Sequence, residues 1–214
     1  TAQTPPAVEE PAPPANGETK QEQETQQENQ QEQQEIQPAA LAAGTEHTNH
    51  PICGTACTDK ENHTGVTWTA INDAEGLKNA QANGHYYLTQ DVTISSTWAP
   101  ANGVVLCLNG YGIEMTSDGN VIEVGDGVDF TLTDCEGGGT GNGGITHDSG
   151  TGRGVYVSGG TFSLYNAKIR WNKGDRQGND SAGAGVYMSG GTFHMYSGSI
   201  RENTTYRNGG GVYV

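Results

Sequence analysis

Five metal-competent side chains crowd into one short stretch, His47-x-x-His50-x-x-Cys53-x-x-x-Cys57-x5-His63. Thiolate sulfur and imidazole nitrogen are the ligands of tetrahedral zinc, and Cys-x-x-x-Cys lies within the spacing that structural sites use. Both cysteines with two of the three histidines would complete four ligands. Four protein ligands leave no position for substrate, so such a zinc would be structural, organising a segment too polar to fold alone. Two other readings stay open: a Cys53–Cys57 disulfide closing a tiny loop, which an oxidising compartment favours, or reduced thiols beside incidental histidines.

Cys107 and Cys135 stand apart from this cluster, next to strand residues in successive repeats. They read as small buried hydrophobes or as a disulfide between stacked rungs. A catalytic Cys would need a His partner in space, and no sequence feature points to one. Carboxylate chemistry is poorly served as well. Glycoside hydrolysis needs two carboxylates about 5–10 Å apart, for which Asp129, Asp134 and Asp148 are candidates. A lyase needs a calcium-binding carboxylate cluster and a base. Lys168 or Arg170 would supply the base, but no acidic cluster faces them. No residue is assigned a catalytic role.

Aromatic and cationic residues recur instead. Tyr156, Tyr187 and Tyr213 occupy one repeat position, Tyr165 and Tyr196 a second, Arg170 and Arg201 a third. Aromatic faces beside Arg can stack on sugar rings or receive a peptide. Tyr and Thr columns also simply suit strands, and a binding site should break a repeat rather than follow it.

The elements that position these residues come from the repeat itself. The phrase Gly154-Val-Tyr-Val-Ser-Gly-Gly-Thr-Phe-Ser-Leu-Tyr-Asn-Ala-Lys-Ile-Arg-Trp-Asn172 returns as Gly185-Val-Tyr-Met-Ser-Gly-Gly-Thr-Phe-His-Met-Tyr-Ser-Gly-Ser-Ile-Arg-Glu-Asn203, offset by 31 and identical at 12 of 19 positions. A third copy opens at Gly211. Within a unit Val155 and Val157 alternate with Tyr156, Phe162 and Leu164 with polar neighbours, and Ile169 sits between Lys168 and Arg170. Such short period-2 runs are strands. Three strands per unit, with Gly and Asn at corners where positive φ costs them little, predict an all-β parallel β-helix. Val155 then stacks on Val186, Phe162 on Phe193 and Ile169 on Ile200, about 4.8 Å apart.

Earlier, weaker coils fit Tyr87 to Ile94, Val104 to Leu108 with Ile113, and Ile122 to Val124 with Phe130 to Leu132 and Ile145. The sum is about five coils and the start of a sixth, roughly 25–30 Å of stacked strands. Asn72-Asp-Ala-Glu75 predicts a capping box, with Asn72 as N-cap and a short helix running to about Ala82 that Gly84 ends. Ala74, Leu77 and Ala80 would cover the first coil, hiding strand edges that otherwise recruit other chains. The other end shows no such cap, and the repeat stops just after it restarts, so the sequence reads as truncated there. Residues 1–44 form a Pro/Gln/Glu-rich leader with too little apolar surface to order. Residues 45–67 are the Cys/His-rich segment, and 68–214 the β-helix.

Composition closes off two classes of partner. The chain of 214 residues carries a formal net charge of -15. That balance argues against a nucleic-acid binder, which needs a basic face to release counterions from phosphates. No apolar run of about 18 residues exists to span a membrane. Low-complexity leader and Gly-rich body suit a secreted or cell-surface protein.

Residues 47–214 resemble the repeat-bearing, right-handed parallel β-helix (pectate-lyase-like) surface proteins of gut-dwelling anaerobic bacteria. The matching phrases are Trp68-Thr-Ala-Ile, Tyr86-Tyr-Leu-Thr-Gln-Asp-Val, Val105-Leu-Cys-Leu-Asn-Gly110, Phe130-Thr-Leu-Thr-Asp-Cys135, the two repeats, and the Cys/His-rich stretch. The resemblance implies a right-handed coil and an extracellular, non-catalytic scaffold, adhesin-like or glycan-associated, with carbohydrate or a host surface protein as partner. It transfers no catalytic residue. The competing expectation is a polysaccharide lyase or glycoside hydrolase whose active site lies partly outside the fragment, since parallel β-helices host such enzymes but fold alone does not assign function.

Overall fold

Alternating side chains with Gly and Asn between them produce strands of two to five residues, each too short to hold alone; in the repeats each pairs with its counterpart one repeat away. The computed structural model describes residues 67–136, 143–174 and 182–214, together with 45–46 and Thr1. The chain divides into Thr1–Pro38 and Ala39–Val214, and every element below belongs to the second unit. The leader and the Cys/His-rich stretch fall outside the described residues, apart from Thr1, 45–46 and Thr67.

Three sheets result. The first contains β1 (Thr45–Glu46), β2 (Thr67–Ile71), β3 (His85–Leu88), β5 (Val104–Cys107), β8 (Asp129–Thr133), β11 (Thr161–Tyr165) and β14 (Thr192–Met195) in that spatial order. The second runs β4 (Val92–Ile94), β6 (Gly112–Met115), β9 (Gly144–His147), β12 (Lys168–Arg170) and β15 (Ser199–Arg201). The third runs β7 (Ile122–Val124), β10 (Val155–Val157), β13 (Val186–Met188) and β16 (Val212–Tyr213). From β5 to β16 the chain visits first, second and third sheet in turn; before that, β1, β2 and β3 all join the first sheet and β4 the second. All pairings are parallel except β1 with β2. The described chain is thus all-β with almost no helix, an arrangement compatible with a β-helix-like solenoid.

Register follows the sequence repeat. Val155 pairs with Val186, Phe162 with Phe193 and Ile169 with Ile200. The columns extend into the weaker copies. Ile122 lies beside Val155, Phe130 beside Phe162, and Val92, Ile113 and Ile145 continue the isoleucine column. Because side chains alternate, one residue of each pair of neighbours enters the interior and the next leaves it. The Phe rings stack at 5.8 Å (Phe130–Phe162) and 5.2 Å (Phe162–Phe193), and Trp98 meets Phe130 edge-on at 5.4 Å. Each fully buried aliphatic or Phe side chain contributes on the order of 1.5–3 kcal/mol.

Corners explain the polar part of the repeat. Asn109 (φ 53) and Asn166 (φ 57) take left-handed backbone between first and second sheets. Their amides reach back one rung, Asn109 Nδ2 donating to Leu88 O at 3.0 Å and Asn166 Nδ2 to Asp134 O at 2.9 Å. Gly154 and Gly185 open the third-sheet strands where no side chain fits. A Cβ on Gly154 would lie 2.5 Å from Ile169 Cγ2 and 2.7 Å from Asn172 Nδ2. On Gly185 it would lie 2.5 Å from Ile200 Cγ2 and 2.9 Å from Asn203 Nδ2. The recurring Gly, Ile and Asn are therefore one packing unit used twice.

The helix departs from expectation by one residue. α1 spans Ala74–Lys78, and its N-cap is Asp73, whose carboxylate accepts from Gly76 N at 2.8 Å. Asn72 lies outside it. Glu75 does not return to an N-cap amide but accepts from Asn79 Nδ2 at 3.1 Å. Both Asn and Asp are strong N-caps, so spacing alone could not choose between them. Asn79 is the C-cap, well short of Ala82, and the positive φ beyond it belongs to Asn83 rather than Gly84. Leu77 and Ala80 are buried as expected, whereas Ala74 is exposed.

Candidate functional site

The tyrosine columns form in register. On the third sheet Tyr156, Tyr187 and Tyr213 project outward with ring centroids 5.6 and 5.5 Å apart. The Arg153 guanidinium lies 4.1 Å over the Tyr187 ring. On the first sheet Tyr165 and Tyr196 stack at 4.3 Å with planes 1° apart. This geometry has a cost for recognition. Rings stacked on one another spend their π faces internally and offer mainly edges and hydroxyls outward. Tyr156 Oη already meets Ser189 Oγ at 2.9 Å.

Packing also changes the chemistry of Tyr165. Burial, then hydrogen bonding to and charge on Tyr196, pushes its phenol from 10.0 up to about 12. The fold favours the neutral phenol, so this contribution to stability is intact below pH 10 and is lost as pH rises through about 12. In an alkaline absorbance titration Tyr165→Phe is expected to remove one late-ionising tyrosine. A late component that survives the substitution would contradict the stacking account.

Arg170 and Arg201 pair in register, but their surroundings differ. Arg170 is 5% exposed, with its guanidinium 4.0 Å from the Trp171 ring. Arg201 is exposed and contacts Glu202 at 3.3 Å. Lys168 pairs with Ser199 on the same strands. Burial, followed by the charges of Arg170 and Arg201, lowers the Lys168 pKa. Of the three candidate acids, Asp129 is exposed on β8, and Asp134 is fully buried, accepting from Gly110 N and Glu136 N. Asp148 joins a concave surface.

That surface is a groove of about 500 Å³ beside the second sheet, lined by Glu114, His147, Asp148, Trp171, Lys173, Glu202 and Thr204. Four successive rungs build it. Glu114 points outward from β6 between buried Ile113 and Met115. His147 ends β9 and is buried, with Nδ1 2.8 Å from Asn172 Oδ1 and Nε2 3.0 Å from Gly119 O. Asp148 follows it and is exposed. Trp171 turns the corner after β12 at φ 58, a left-handed conformation that is costly for a bulky residue. Glu202 holds the equivalent corner at φ 57, and Lys173 bridges to Thr204. Burial first, then the charges of Asp148 and Asp91, raise the Glu114 carboxyl above its ordinary range.

The groove thus combines an aromatic wall 40% exposed at Trp171 with three carboxylates and one ammonium. Carboxylates accept from hydroxyls, the ammonium donates, and the indole offers an apolar face. Glu114, Trp171, Lys173 and Glu202 were not singled out by sequence. The available signal was the exchange of Trp171 for Glu202, one of seven positions at which the two 19-residue copies differ.

Among the described residues no group of three or more His, Cys, Asp or Glu is placed to hold a metal ion. His47, His50, Cys53, Cys57 and His63 lie outside the described residues. Cys107 and Cys135 are reduced thiols rather than an inter-rung disulfide. Among the described residues no helix is long and apolar enough to cross a membrane. Comparison with protein-family models, curated proteins and solved structures finds no match.

Proposed function

We propose that the chain is a right-handed parallel β-helix acting as a non-catalytic, extracellular repeat scaffold of a bacterial surface protein, and that it binds carbohydrate in the groove around Trp171. The observation that carries this reading is the break in the repeat. Where one copy puts Glu202 the other puts Trp171, strained and exposed, at the rim of a concavity lined with hydrogen-bonding groups. The tyrosine columns serve as structure, since Tyr165 and Tyr196 stack on one another and Tyr187 lies between Tyr213 and the Arg153 guanidinium. The family resemblance of the sequence supports the extracellular assignment.

Titrating immobilised glycans against the protein tests it. Saturable binding to at least one glycan is expected, and Trp171→Ala is expected to weaken it about tenfold while leaving Tm nearly unchanged. Binding that ignores Trp171, or no binding across neutral, acidic and amino-sugar polymers, rejects the proposal. A second reading rests on Glu114 and Asp148, two carboxylates that line the same groove. On that reading the protein is a glycoside hydrolase or lyase. It would release reducing ends or unsaturated uronates, and Glu114→Gln would abolish the release.

A further inference from the structure

We propose that Cys107 and Cys135 are a covalent cross-linking site, forming a disulfide that staples two successive rungs of the first sheet when a low-molecular-weight disulfide is supplied. Cys107 ends β5 directly opposite Thr133 of β8, and Cys135 follows two residues after that partner. One residue joins the two thiols. Asn109 N donates to Cys107 Sγ at 3.3 Å, and Asn109 Oδ1 accepts from Cys135 Sγ at 3.3 Å. Both sulfurs belong to one apolar cluster with Trp68, Tyr87 and Val105. This cluster is distinct from the interior that holds the phenylalanines.

The two thiols differ in access. Cys107 is fully buried and Cys135 half-buried. Burial, reinforced by hydrogen bonding and charge at Cys135, raises the Cys107 thiol well above its usual range. The thiolate is the nucleophile in exchange, so Cys135 is the point of entry. It loses its proton and attacks the external disulfide, forming a mixed disulfide and expelling one small thiolate. Cys107 then loses its proton and attacks the Cys135 sulfur, expelling the second. The protein gives up two electrons and two protons, and the oxidant becomes two thiols.

Incubation of the full chain with oxidised glutathione, followed by non-reducing peptide mapping, tests the proposal. A Cys107–Cys135 linked peptide is expected. With it should come quenching of Trp68 fluorescence and a rise in Tm of roughly 5 °C, reversed by reductant. Cys135→Ser should fold, keep its Tm under reducing conditions and lose the response to oxidant. Recovery of Cys107 as an alkylatable thiol after oxidation, a stable glutathione adduct at Cys135, or pairing of either residue with Cys53 or Cys57 overturns it.

Discussion

Truncating Phe162 to alanine is expected to lower the free energy of unfolding by about 3–5 kcal/mol, measured by denaturant titration. Phe162 has no exposed surface and lies between Phe130 and Phe193, nearly parallel to both. Removing its ring opens a cavity that neither neighbour can fill, because each is held by its own strand register. Phe193 is only half-buried and has one ring partner, so Phe193→Ala should cost clearly less. Equal losses at the two positions would mean that the rings do not form one stack.

The second large effect belongs to a polar residue. Asn172 is completely buried at the corner after β12. Its Nδ2 donates to Ile145 O at 3.0 Å, Arg170 O at 3.1 Å and Asn203 Oδ1 at 2.9 Å. Its Oδ1 faces His147 Nδ1. Asn203 repeats the motif one rung on, donating to Ile169 O at 2.9 Å. Asn172→Ala leaves two carbonyls and an imidazole short of a buried partner, at a cost of about 3 kcal/mol. Chemical denaturation reads this directly. A variant as stable as the parent would show that water replaces the amide and that the corner is not closed. The same substitution should loosen the groove, since His147 lines it and is held by Asn172.

These two residues also show what the sequence could and could not disclose. Phe162 was legible because alternation assigns it inward and the offset of 31 assigns it a partner. Period-2 patterning and a repeat are each local, and together they determine register. Gly154 was legible as a corner, though not the reason for it, since its closeness to Ile169 and Asn172 arises only in the folded chain. The groove was not legible. Glu114 and Glu202 come together only after four rungs are stacked, and Glu114 stands in no motif. Arg170 looked like a surface cation because it alternates with Ile169, yet its contact with Trp171 and its 5% exposure come from tertiary packing. The helix cap slipped from Asn72 to Asp73 because adjacent residues were equally good caps. Cys107 and Cys135 were placed in successive rungs, but no spacing rule could distinguish a closed disulfide from two thiols bridged by Asn109.

The stacked rings, the buried asparagine corners and the groove all require that residues one repeat apart stand side by side in parallel register. Paired spin labels measure this most directly. Labels at Ser163 and His194, in a chain whose native cysteines are replaced, occupy outward positions aligned on β11 and β14. Strong dipolar broadening is expected for this pair, corresponding to strands about 4.8 Å apart. A label at Ser163 paired with one at Lys168, on a different sheet, should show much less. Broadening that is absent at Ser163 with His194 and present at a shifted or antiparallel partner would contradict the register, and with it the stacked aromatic columns and the groove.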